Sequence, residues 1–220
     1  MIWVYALCEA PDRPPPRRRG LAQAPLEGIA AGRVLAVVSR HSHAPGEPAL
    51  DALWAHERVI ERLMADRAVL PMRFGTKFPD DAALRAAVEA REAAVLAALE
   101  HVRGRLELGV RVMRSAGSDG DEPAPPPRDG REYLLARLAG SRRAEAAAAE
   151  LHDPLAALAV SARRRSTQAP DEVLRAAYLV DRGQVGLFRA TVERLQRDHE
   201  DVALLLTGPW PPFSFAELSA

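Results

Sequence analysis

His41 and His43 flank a single serine at the end of a predicted strand, a spacing that turns both imidazoles to one side. Two nitrogens without a third nearby donor do not complete a metal site. The pair therefore reads as part of a solvated loop, and no metal is expected. His56 and Glu57 begin an HExxH pattern, but the second histidine would fall at position 60, which is Ile60. Cys8 is the sole cysteine and sits in an apolar run, where it reads as a small buried hydrophobe rather than a nucleophile. There is no GxxxxGK[ST], no GxGxxG after a strand and no GxSxG elbow. These residues support no catalytic group, no cofactor and no enzymatic activity.

Other side chains point to pairing or docking. By helical count Glu57 falls near an apolar stripe between Trp54 and Ile60, and a carboxylate there needs a partner. Arg73, in the apolar stretch LPMRF, stands in a comparably unusual place. A helix-to-strand ion pair Glu57–Arg73 is expected as an internal clip, and truncating either member of a buried pair costs about 3–5 kcal/mol. The arginine runs at 17–19 and 163–165 could meet phosphate or an acidic partner, although a solvated charge run is the simpler reading. Near the C-terminus, GPWPPFSF places Trp210, Phe213 and Phe215 among three prolines. Proline holds such an arm extended at little entropic cost. Fully burying each ring is worth about 1.5–3 kcal/mol. The arm is thus expected to dock, as a strap on its own core or on a partner.

The elements that position these residues follow from periodicity. IWVYALC (2–8) reads as a buried strand, the Pro/Arg segment after it as a loop, and RVLAVVSRH (33–41) as a second strand. Leu50, Leu53, Trp54, Ile60, Leu63 and Met64 mark one helical stripe. A short strand at 69–76, a helix over 80–102 capped by Asp80 or Asp81, and an alternating strand at 105–113 follow. The order suggests a ferredoxin-like α+β sandwich over 1–114 with two helices on one sheet face. Residues 115–130, acidic and rich in proline, read as a linker. The remainder, 131–220, reads as a modified ferredoxin-like α+β domain. It carries a helix, a fresh helix or turn at Asp153-Pro154, strands near 158–164 and 173–181, a helix from 183 and a strand at 202–207.

Composition narrows the class. At 220 residues the chain can build two cores, and 30 basic residues balance 30 acidic ones. A neutral chain is a poor nucleic-acid binder. No apolar stretch reaches the length of a membrane span, and the first residues lack a basic start and a cleavage signal, so a cytoplasmic protein is expected.

AHERVIERLMADRAVLPMRFGT, VLRAAYLV and LLLTGPWPPFSF, in this order and spacing, resemble the gas vesicle protein F/L family (GvpF/GvpL) along essentially the whole chain. The proline-arginine loop at 11–19, a shortened stretch before Arg33 and the acidic linker depart from the family pattern. The resemblance implies a two-domain α+β accessory protein of gas vesicles that binds the hydrophobic main shell protein and assists nucleation or assembly. Other accessory proteins are implied as partners, and no catalytic residues or cofactor come with it. A small-ligand or haem-handling enzyme built on tandem ferredoxin-like domains is the alternative, with His41, His43 or His56 at work.

Overall fold

The computed structural model describes residues 1–10, 18–42, 50–115, 129–169 and 171–216. The protein is α+β and divides into two compact units, Met1–Leu106 with Trp210–Ala220, and Glu107–Pro209.

In the first unit, β1 (Ile2–Glu9), β2 (Glu27–Ala31), β3 (Val34–Arg40) and β4 (Leu70–Pro71) pair in the order β2-β3-β1-β4, and β5 (Lys77–Phe78) also pairs with β1. Every pairing is antiparallel. Opposite β3, Val4 faces Val38 and Ala6 faces Val37, so Tyr5 is the extra residue of a bulge. The bulge sets Trp3, Tyr5, Ala6 and Cys8 against Val59, Ile60 and Leu63 of α1 (Leu50–Met64). Ile2, Val4 and Leu7 alternate to the other face and are equally buried. There α2 (Asp81–Glu89) and α3 (Glu92–Val102) supply Leu84, Val88, Val95, Leu99 and Val102. Helices thus cover both faces rather than one. This is why β1 reads as an unbroken apolar run rather than an alternation.

The expected single helix over 80–102 is two. At the break Glu92 reaches the β2–β3 turn, where its carboxylate accepts the Arg33 N–H. Gly32, at φ +56°, leaves room for it, since a Cβ there would lie 2.4 Å from Glu92 Oε1.

The second unit runs β6 (Arg105–Arg114), α4 (Gly130–Ala156), β7 (Ser161–Arg164), β8 (Glu172–Asp181), α5 (Val185–Asp198) and β9 (Val202–Trp210), with sheet order β7-β8-β6-β9. This is the βαββαβ chain path of a ferredoxin-like sandwich. Leu108, Val110 and Val112 of β6 pack with Tyr178 of β8, Leu151 and Leu155 of α4, and Phe188 and Val192 of α5. The first sheet has the same strand order, and the described residues between β1 and β2 hold a 3-10 turn (Leu21–Gln23) where the second unit has α4.

Three boundaries move. The strand β6, expected to close the N-terminal domain at 114, belongs to the second sheet, because its apolar face completes that core. The C-terminal arm rejoins the first unit, so 131–220 is not one domain. The linker reading falls on 116–128, outside the described residues. Finally, α4 does not restart at Asp153. Pro154 sits within its last turn, where the missing N–H forfeits only the bond to Glu150 before the helix ends.

Candidate functional site

The segments that carry the family resemblance in the first unit converge on one aromatic box. The bulge brings Trp3 and Tyr5 together, and α1 inserts His56, 1% exposed, between them and Phe74. Trp3 Nε1–H donates to His56 Nδ1 at 3.0 Å. That nitrogen is therefore unprotonated, and Nε2–H donates to the Met72 carbonyl at 2.9 Å. Burial holds the imidazole below its ordinary pKa, against an opposing pull from the Met72 carbonyl. Phe74 packs edge-on against Trp3 at 4.9 Å. A second chain runs from Leu21 N–H to the Tyr5 hydroxyl (2.7 Å), then to Ser39 Oγ (2.8 Å) and His41 Nε2 (2.7 Å). Burial raises the Tyr5 hydroxyl and lowers His41. Both nitrogens of His56 are committed, so it cannot ligate a metal or a haem iron. No cluster of three potential metal ligands occurs among the described residues, and His43 lies outside them.

The predicted ion pair does not form. Among the described residues no bridge joins Glu57 to Arg73, whose side chain is exposed. Glu57 is half-buried, and its carboxyl is raised by desolvation and by Glu61 rather than lowered by a cation. The phase of the helix explains this. His56, Val59, Ile60 and Leu63 face the sheet, so Glu57 sits a residue past the core face. The sequence offers His56 as half of a failed HExxH and as a ligand-site candidate, not as a core residue. Its signal was a polar side chain at core spacing with two apolar residues three and four positions on.

The arm, in contrast, meets its own unit. Phe213 packs against the core cluster that holds Trp3 and Tyr5, Phe215 is 5% exposed, and Trp210 is half-buried. Phe213 N–H and Phe215 N–H bond to the carbonyls of Pro211 and Pro212, closing a 3-10 turn.

Outside the core face, α1 presents two more. One bears Ala55, Arg58 and Arg62; the other bears Leu50, Leu53 and Trp54, then Glu57 and Glu61. Leu50, Leu53 and Trp54 are 71%, 42% and 51% exposed. The single apolar stripe expected for this helix is therefore two, and only its C-terminal part is core. An isolated exposed leucine is ordinary, but three large apolar side chains at i, i+3 and i+4 form a patch.

The profile of the family described as "Gas vesicle synthesis protein GvpL/GvpF" matches residues 1–217. The chain belongs to the GvpL/GvpF family. A gas vesicle protein L from a Streptomyces species is 35% identical over 188 residues, covering 77% of this chain and 70% of the relative. A gas vesicle protein F from the same strain is 29% identical over 214 residues, 88% of each chain. The fold is that of the solved gas vesicle protein GvpF. The Anabaena structure superposes with a TM-score of 0.82 at 19% identity over 100% of this chain and 97% of that one. The Microcystis aeruginosa structure gives 0.81 at 16%, over 99% of each. Within the GvpL/GvpF chain described here, LPMRFGT builds the edge that receives His56, and the WPPFSF ending sets Phe213 against the same core.

Proposed function

We propose that this GvpL/GvpF-family chain is a non-enzymatic helper of gas vesicle assembly, which binds the small hydrophobic main shell protein and keeps it from aggregating before it enters the shell. Family membership supports a role with gas vesicle proteins. The observation that carries the finer reading is the exposed Leu50–Leu53–Trp54 face of α1. A shell subunit that must present a water-repelling surface pairs indiscriminately before assembly. A helper needs an apolar face to cover it, in the manner of a groove or helix-face contact.

The strength of that contact can be bounded. Burying the still-exposed fractions of the three side chains is worth roughly 2–5 kcal/mol. This does not exceed the cost of association, about 4–15 kcal/mol. The patch therefore contributes to a transient complex, which suits a subunit that must be handed on. Strand addition is less well served. Gln196 occupies the Val202 carbonyl and the Leu204 N–H on the edge strand β9, and the Arg85 guanidinium caps the Ala30 carbonyl on β2.

The test is dilution of denaturant-solubilised shell protein, followed by light scattering. Wild type suppresses the scattering in proportion to its concentration, and Leu53→Ser/Trp54→Ser, folded by circular dichroism, does not. Equal suppression by both proteins would rule out this face as the binding site.

A further inference from the structure

A concavity lies beside α1 in the first unit. In the second unit α4 and α5 lie side by side. In the first unit, α1 packs beside the segment around Leu21–Gln23. Between loop and helix is an open hollow of about 340 Å³. Arg18 and Arg19 line it from the loop, Arg58 and Arg62 from α1, with Gln23 and Ala55 between.

Several features hold these arginines together. Gly20 lies against the Tyr5 hydroxyl, which a Cβ would approach to 2.3 Å, so only glycine lets the loop sit this close to the core. Ala22 and Gln23 both adopt the left-handed conformation, at φ 49° and 59°, although neither is glycine. That turn aims the Gln23 carbonyl at Arg19 Nη1, 2.8 Å away. Arg58 Nε donates to the Trp54 carbonyl at 3.2 Å, fixing the root of that guanidinium. Among the described residues none of the four arginines pairs with a carboxylate, although elsewhere in the chain Arg40, Arg103, Arg111 and Arg164 all do. Arg58 and Arg62 are also an i,i+4 like-charge pair, which weakens a helix by itself.

We propose that this hollow is a binding site for a small oligophosphate, either free or as the phosphate tail of a nucleotide. Four guanidiniums supply the charge that two or three linked phosphates need, and each is a group that can bind phosphate oxygens bidentately. The volume lies at the small end of ligand sites. Among the described residues the lining holds no aromatic ring to stack a base and, apart from Ala55, no apolar wall to seat the side chains of a peptide. Recognition is therefore of the anion itself, which favours a compact oligophosphate over an acidic protein segment. The site stands independently of the shell-protein reading and uses a different face of α1.

The experiment is isothermal titration calorimetry of the full chain at low ionic strength, with tripolyphosphate and with ATP. Wild type is compared with Arg58→Gln/Arg62→Gln and with the distant control Arg131→Gln/Arg137→Gln. Wild type and control bind, and the site variant loses at least about tenfold in affinity while melting no lower than wild type without ligand. Equal affinity for the two ligands means that the phosphate chain is the whole ligand; tighter ATP binding means that the nucleotide adds contacts. No heat with wild type, an equal loss in the control, or tighter binding of an oligoglutamate peptide of matched charge would overturn the proposal.

Discussion

Replacing His56 by phenylalanine tests the aromatic box with a number attached. The ring is nearly conserved in shape, but two hydrogen bonds vanish: Trp3 Nε1–H loses its acceptor and the Met72 carbonyl loses its donor. Trp3 is buried, so its stranded N–H costs about 1–3 kcal/mol. Met72 is half-buried and water can relieve much of its loss. The greater apolarity of phenylalanine returns part of the total, so a net loss of about 1–3 kcal/mol is expected near neutral pH. Acidification supplies the second half of the test. Folding holds His56 below the ordinary value of 6.5. As pH falls through that value the unfolded chain therefore takes up a proton that the folded chain refuses, and stability falls. The slope approaches about 1.4 kcal/mol per pH unit while the folded form stays neutral. His41 and His152 are lowered too, but they contribute equally in both proteins. Trp3 and Trp54 lie in the first unit and Trp210 at the boundary where β9 ends, so tryptophan emission during urea unfolding reports chiefly on that unit. The difference between wild type and variant should narrow steadily as pH falls from about 7 to about 5. A difference that stays constant with pH, or a variant as stable as wild type at neutral pH, would refute the reasoning.

Further outcomes follow from the same structure. Phe215→Ala should lower the stability of the first unit by about 3–5 kcal/mol and Trp210→Ala by clearly less, read from thermal melts; equal small effects would mean that the arm is no strap. Burial pushes the Cys8 thiol up to about 11, so a disulfide reagent should label it only on unfolding, and rapid labelling of the native chain would contradict its place in the core. Glu57→Gln should gain about 0.2–0.5 kcal/mol by relieving repulsion from Glu61. A loss of more than about 1 kcal/mol in urea unfolding would show that a cation holds Glu57 after all.

Legibility in the sequence tracked how far each element is dictated by its own residues. The runs in β1, β3 and β8 announce strands because both sheet faces are buried, so nearly every side chain must be apolar. EGIAA, by contrast, has no strand signature, and β2 exists only because a two-residue turn folds it onto β3. Position 56 was misjudged for a related reason. Leu50, Leu53 and Trp54 continue an apolar pattern without being core, and including them rotates the apparent stripe toward Glu57. Neither could the boundary near Leu106 be read, since β6 carries the same alternation whichever sheet receives it. The arginines at 18 and 19 looked like a solvated run because Arg58 and Arg62, 40 residues on, meet them only in the folded chain.

On the proposed function, the apolar face of α1 binds the main shell protein. The most direct measurement is a co-expression pull-down of that shell protein by wild type, by Leu53→Ser/Trp54→Ser and by Arg58→Gln/Arg62→Gln, with melting curves for all three. The account predicts that wild type and the arginine variant retain the shell protein in the dissolved fraction, while the Leu53/Trp54 variant folds normally and retains none. A well-folded wild type that captures no shell protein, or capture undiminished when Leu53 and Trp54 are replaced, would contradict it.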